Sequence, residues 1–336
     1  MPNNIYQPTE EIFLKARELL MNDDVVAFPT ETIYGLGANA LSDIGAKRIF
    51  ELKGRPNDNP LIVHLGEKSQ ISDYAFVEND IQQHIIDKLM PWPITLLLPK
   101  KEGISSVACN VPLVGIRLPS NTIAQQFLRI VGLPIVAPSA NISGKPSPTN
   151  ALMVYDNLGE KVPMIIDGGE SEAGIESTVV QVIPIDGSFK ILILRPWFVT
   201  KDDLEQCFDG TIEVEYSKKN PELSPGMRYK HYSITGEVKI VSEVDETLLK
   251  EDRKIWFLVT KEFWEDHQEF FWMLSEEVQV KIWGSYENLA TCAHSLFESY
   301  HSFEQDNIEL LYVENLPEVG IGYSIMNRVK RSAEAL

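Results

Sequence analysis

The chain is poor in cysteine, poor in positive charge and without long apolar runs. Cys109, Cys207 and Cys292 are the only cysteines among 336 residues, far apart and without CxxC or Cys/His zinc spacing. This excludes a disulfide scaffold and a cysteine-based metal finger. It suits buried or incidental thiols in a reducing, cytoplasmic setting. No apolar stretch approaches the roughly 20 residues that cross a bilayer. The opening MPNNIYQPTEEIF lacks the basic and apolar regions of a secretory leader, so no membrane association is expected. Lys+Arg total 30 against Asp+Glu 49, a formal charge of −19. Such a molecule does not grip a nucleic-acid backbone by bulk electrostatics, and any polyanion site must be a local cluster of cations. A P-loop is also missing: in Ser143-Gly144-Lys145-Pro146 a proline stands where the metal-binding hydroxyl belongs.

What remains is a globular composition, 44% apolar and 24% charged, in a length that suggests two domains. Residues 9–22 put Ile12, Ala16, Leu19 and Leu20 on one stripe behind the N-cap candidate Thr9, which predicts a helix. Short apolar runs predict strands at residues 25–28, 60–65, 95–99, 114–118, 135–137, 164–166, 178–183 and 191–194. Helical patterns at 42–53, 81–89 and 121–131 lie between them. This interleaving predicts an α/β domain. Residues 214–237 carry prolines and glycines but no apolar period, and read as a linker. Beyond them, four strand-like runs and a helix over 286–305 predict a smaller, more acidic α/β domain. Its Trp256, Trp264, Trp272 and Trp283 are expected in a core or interface.

Chemistry gathers where polar strings leave the apolar runs: Pro29-Thr30-Glu31-Thr32, Pro138–Thr149, and Asp167-Gly168-Gly169 followed by Gly174–Thr178. In open α/β sheets ligands collect beyond strand ends, so three such strings suggest one shared pocket. Lys53, Arg55, Arg117 and Arg195 end or interrupt predicted elements. A cation there needs a partner or an anionic ligand, and guanidinium forks match phosphate oxygens. Arg117 alone is equally readable as a salt-bridge partner. His64 alone reads as a structural histidine. Gly35–Ala40 matches G-x-G-x-x-A, but six residues separate it from the preceding strand, so it argues weakly for a dinucleotide oxidoreductase.

Taken together, PTETIYGLGANA (29–40), KGRPNDNPLIVH (53–64), GIRLP (115–119), APSANISGKPSPT (137–149), DGGESEAGIESTVV (167–180) and Leu194-Arg195-Pro196 resemble the signature strings of the YrdC-domain family. The likeness is to its long two-domain form, whose members make L-threonylcarbamoyladenylate. SPGMRYKHY (224–232) resembles the tether of that form. The resemblance implies a twisted open sheet flanked by helices over residues 1–213, a linker or lid at 214–237, and a C-terminal Rossmann-like α/β domain at 238–336. It implies a nucleotidyltransferase acting on L-threonine, bicarbonate or carbon dioxide and ATP, with Mg²⁺ accompanying the ATP. Its product would feed a downstream transferase that modifies tRNA. By motif position Thr32, His64, Arg117, Ala137 and Ser177 fall to threonine. Arg55, Asn59, Ser139, Ser147, Arg195 and the linker's Tyr229 fall to ATP, with Lys53 and Arg55 carrying catalytic phosphate charge. No metal ligand is named. Two departures stand out: Met90-Pro91-Trp92-Pro93 puts a tryptophan where the family has glycine, so the turn must differ or the ring must point outward, and Ile234 stands where proline is common. The alternative is an RNA-binding module using the same cationic hollow, against which the net charge argues.

Overall fold

The protein is seen in a computed structural model that describes residues 2–57, 59–217, 232–245, 248, 253–274 and 278–334. The chain divides into two compact units. The first is Met1–Ser143, Ser147–Glu172 and Glu176–Tyr229; the second is Gly144–Pro146, Ala173–Ile175 and Lys230–Leu336.

In the first unit the described strands are β1 (Ile5–Tyr6), β2 (Val26–Phe28), β3 (Gly35–Asn39), β4 (Val63–His64), β5 (Ile94–Pro99), β6 (Leu113–Arg117), β7 (Ile135–Val136), β8 (Ile165–Ile166), β9 (Thr178–Ile185), β10 (Ser188–Arg195) and β11 (Glu213–Tyr216). They form one mixed sheet in the order β1-β8-β2-β3-β7-β4-β6-β5-β9-β10-β11. Alternate residues of β2 and its approach enter different cores, as a two-sided strand requires. Val25 and Ala27 pack with Ala46, Ile49 and Phe50 of the helix Asp43–Lys53. Val26 and Phe28 pack with Phe13 of Glu10–Met21 and with Phe127 of Thr122–Val131. The helices start where capping chemistry puts them: Thr9, Ser42 and Asn121 each accept a backbone N–H three residues on. Gly54, at φ 60°, closes Asp43–Lys53 in the left-handed region and releases the chain toward Arg55.

Several expectations change. Gly35–Asn39 is a strand paired antiparallel to both β2 and β7, not a turn between strand and helix. A Cβ on Gly37 would lie 2.8 Å from Ile135 and 3.0 Å from Phe28, so this glycine serves strand packing and the dinucleotide reading falls. Of the run at 60–65 only Val63 and His64 form a strand, with Ile62 and Leu65 bonded to Ala137 and Arg117 at its ends. Strand β11 continues to Tyr216, past the residue-213 boundary, because its main chain pairs in parallel with β10. Trp92 does not point fully outward: half-buried, it packs edge-on to Phe198 at 6.4 Å.

In the second unit β12 (Glu237–Val241), β13 (Ile255–Thr260), β14 (Gln279–Gly284) and β15 (Leu310–Glu314) pair in parallel in the order β12-β15-β13-β14. This is the smaller α/β domain expected there, with its strands all parallel. The helix Leu289–Gln305 buries Cys292, Ala293 and Leu296, and a further helix, Ile321–Ala333, was not foreseen. Trp256 and Trp283 are buried and Trp264 packs on the core, but Trp272 is 71% exposed, contrary to expectation. Among the described residues no helix is long and apolar enough to cross a membrane.

Candidate functional site

The site is built from three hydrogen-bonded groups in the first unit. The first centres on Arg117, the last residue of β6, with His64 of β4 as its register neighbour. A single nitrogen of Arg117, Nη2, donates to Glu31 Oε1 at 2.8 Å, Thr32 Oγ1 at 2.7 Å and Thr30 Oγ1 at 3.3 Å. Glu31 Oε2 accepts the Ser120 N–H at 3.1 Å. Arg117 and Glu31 are 4% and 2% exposed, so this is a buried ion pair. Arg117 Nε is also buried and has no partner among the described residues. A buried donor left without an acceptor costs about 1–3 kcal/mol unless a ligand supplies one.

The hydroxyls beside it have a fixed polarity. Thr30 donates to the Ile33 carbonyl at 2.6 Å, which uses its one proton. The 2.8 Å contact between Thr30 and Thr32 must therefore be donated by Thr32. With Arg117 also donating to it, Thr32 Oγ1 offers an incoming molecule a lone pair and no proton. His64 is buried beside this group. Burial, and then the charge of Arg117, push its pKa down to about 3, so it is a neutral imidazole.

The second group centres on Lys53, at the end of Asp43–Lys53. Its ammonium donates to the backbone carbonyls of Ser139 at 2.5 Å and Asn141 at 2.7 Å. Lys53 is 3% exposed, and burial, then the nearby positive charge of Arg55, hold its pKa well below the ordinary lysine value. Arg55 donates to the Asn59 carbonyl at 3.3 Å and lies 5.9 Å from the Phe50 ring. Asn59 is 2% exposed, and neither atom of its side-chain amide has a partner among the described residues.

The third group joins Arg195, Ser177 and Thr95. Arg195 donates through Nε and Nη2 to the Ser177 carbonyl, at 3.1 and 3.0 Å, and through Nη2 to the Ser177 hydroxyl at 3.2 Å. It lies over the Trp197 ring at 5.2 Å. Ser177 and Thr95 share a 2.8 Å hydroxyl contact, and Ser147 donates to Glu176 at 3.1 Å.

Main-chain bonds staple these groups together. Tyr34, two residues after Thr32, donates its N–H to Pro148, beside Ser147, and accepts the Ala140 N–H, beside Ser139. Ala137 enters through its N–H to the Ile62 carbonyl. The structure thus brings Thr32, His64 and Arg117 together, Lys53, Arg55, Asn59 and Ser139 together, and Ser177 with Arg195. Tyr229 lies outside the described residues. Three further side chains, Thr30, Glu31 and Thr95, received no role from the sequence. The carboxylate in Pro29-Thr30-Glu31-Thr32 was the available signal for Glu31, but its partner is 86 positions away. Among the described residues no group of three or more His, Cys, Asp or Glu side chains could hold a metal ion.

With this geometry established, likeness to known proteins becomes informative. The family described as "Telomere recombination" matches residues 18–196, and the family described as "Threonylcarbamoyl-AMP synthase, C-terminal domain" matches residues 199–334. The chain is 37% identical over 334 residues to the threonylcarbamoyl-AMP synthase of Bacillus subtilis (strain 168), across 95% of this chain and 92% of that one. The chain belongs to the threonylcarbamoyl-AMP synthase family. It is 34% identical to the family's member from Pyrococcus abyssi, across 98% of this chain and 96% of that one. The crystal structure of P. abyssi Sua5 complexed with L-threonine matches with a TM-score of 0.85 at 30% identity, covering 98% of both chains. The smaller Escherichia coli YciO structure, at 22% identity and a TM-score of 0.50, shares the fold over 58% of this chain.

Proposed function

We propose that this member of the family makes L-threonylcarbamoyl-AMP from L-threonine, bicarbonate or carbon dioxide and ATP, releasing pyrophosphate. The observation that carries the proposal is the pair of differently prepared buried cations. Arg117 keeps a buried N–H for a carboxylate, while Lys53 sits beside a second positive charge with, among the described residues, only backbone carbonyls to hold it. The first arrangement suits an amino acid and the second a triphosphate.

On this reading the threonine carboxylate meets Arg117, and its amine or hydroxyl donates to Thr32. His64, Ala137 and Ser177 shape the same end. The amine, once neutral, adds to carbon dioxide and gives up a proton, forming a carbamate. A carbamate oxygen attacks the α-phosphorus of ATP as the bond to pyrophosphate breaks. Arg55, Asn59, Ser139, Ser147 and Arg195 hold the nucleotide, and Lys53 with Arg55 neutralises phosphate charge. Positioning and charge stabilisation suffice for this reaction, and no covalent nucleophile is required. Phosphate arriving at Lys53 would also raise its depressed pKa and secure its charge. Mg²⁺ would arrive on the triphosphate and supply charge neutralisation there; no protein ligand is assigned to it. The activated product requires a transferase to pass the threonylcarbamoyl group to tRNA. Free thiols at Cys109, Cys207 and Cys292 support a cytoplasmic setting. The RNA-binding alternative gains no support from this site, in which one guanidinium is already compensated by a carboxylate.

The test is pyrophosphate release by the purified chain with L-threonine, bicarbonate, Mg²⁺ and ATP. Release that needs all the substrates is expected; release independent of threonine would overturn the proposal.

A further inference from the structure

We infer that Glu31 is a specificity-determining residue, which by compensating Arg117 makes the amino-acid end of the site accept a zwitterion and refuse phosphate polyanions. The inference deepens the proposed function and rests on it. The difficulty it addresses is physical. One site must take a carboxylate at one cation and a triphosphate at others, and an uncompensated arginine does not distinguish a carboxylate from phosphate oxygens.

Arg117 and Glu31 form a buried pair with no net charge, held at 2.8 Å, and Glu31's other oxygen is fixed by the Ser120 N–H. The remaining attraction for an anion is the fork of Arg117 outside Nη2: the buried Nε–H and the Nη1 N–H groups, none of which is bonded among the described residues. Threonine brings one carboxylate for that fork and carries its own positive ammonium, so it adds no net charge beside Glu31. Pyrophosphate or a triphosphate brings several negative charges and none to offset them. It would stand against the Glu31 carboxylate in a water-poor site, where like charges repel strongly.

A second observation points the same way. The Thr30 bond to the Ile33 carbonyl leaves Thr32 Oγ1 presenting only a lone pair. That welcomes an ammonium or hydroxyl donor and opposes a phosphate oxygen. Among the described residues no such guard stands at Lys53, whose neighbours are two carbonyls and the Arg55 charge.

The test is equilibrium dialysis of labelled L-threonine against the full chain without ATP, with pyrophosphate titrated in. For the wild-type chain, millimolar pyrophosphate is expected to change the apparent threonine Kd by no more than about twofold, reaching a plateau. In Glu31→Gln, whose amide oxygen can still accept from Arg117, pyrophosphate is expected to compete directly, raising the apparent Kd by about tenfold or more without a plateau. Glu31→Asp keeps the charge and is expected to keep the wild-type pattern. Unaltered pyrophosphate sensitivity in Glu31→Gln would overturn the inference. Direct competition in the wild-type chain would do the same, and that arm stands even where a variant does not fold. Threonine binding abolished equally in Glu31→Gln and Glu31→Asp would make Glu31 merely structural. Absence of threonine binding by the wild-type chain would remove the proposed function, and this inference with it.

Discussion

Arg117 and Lys53 are buried to the same degree, 4% and 3% exposed, yet the fold treats their charges in opposite ways. Arg117 is compensated by a carboxylate, two hydroxyls and a fixed geometry. Lys53 receives two backbone carbonyls and a cationic neighbour, and its proton affinity is depressed. A buried cation with a built-in counter-ion supports the fold and selects a ligand by shape and polarity. One without a counter-ion stores a demand for an anion. On the proposed function, the two ends of the site are separated by charge compensation rather than by distance.

The contrast breaks most visibly at Arg117. Arg117→Met leaves Glu31 buried and unpaired, and an unfolding free energy lower by roughly 3–5 kcal/mol is expected in urea titration. Adding Glu31→Gln to that variant should restore part of the loss, because the stranded charge is gone. Full additivity of the two substitutions would contradict the pairing. Lys53→Met should behave in reverse. Turnover is expected to fall by about 100-fold or more, while the melting temperature holds or rises, since a poorly solvated charge has been removed. A stability loss equal to that of Arg117→Met would erase the distinction.

His64 sharpens the comparison through pH. Its folded pKa of about 3 lies below the ordinary value of 6.5, so the unfolded chain binds the proton that the folded chain refuses. Stability from this group is fully present above pH 6.5 and is lost as pH falls toward 3. Between pH 6.5 and about 5 the loss should be roughly 2 kcal/mol, and His64→Phe should flatten that part of the stability profile. Lys53 also titrates lower when folded, so stability rises with pH from its depressed pKa up to 10.5, the opposite end of the scale. The smallest effect expected is at Ser177. Ser177→Ala strands the Thr95 hydroxyl, which is fully buried. A cost of about 1 kcal/mol is expected, largely recovered by adding Thr95→Val.

Much of this was legible in the residues, and the boundary is physical. Helix starts at Thr9, Ser42 and Asn121 follow from local capping chemistry, which a few adjacent residues decide. The central strands β13 and β15 of the second unit appear as apolar runs because a parallel strand covered on both faces is largely apolar, whereas the edge strands β12 and β14 admit Glu237, Lys239, Gln279 and Lys281. Strand β3 was missed because Gly35 and Gly37 lower strand propensity, and only the tertiary approach of Phe28 and Ile135 explains them. The polar strings and the cations Lys53, Arg55, Arg117 and Arg195 mark the candidate site in the sequence. Which of them is compensated was not readable, since that depends on Glu31 reaching Arg117 across the fold. The sequence leaves Arg117 readable as ion-pair partner or as ligand donor; one guanidinium has nitrogens for both.

The most direct test of the account is an experimental structure of the chain with L-threonine and a non-hydrolysable ATP analogue bound together. The threonine carboxylate is expected on Arg117 Nε with the Glu31 contact intact, and the triphosphate against Lys53 and Arg55. A triphosphate seated on Arg117, or a threonine carboxylate seated on Lys53, would contradict it.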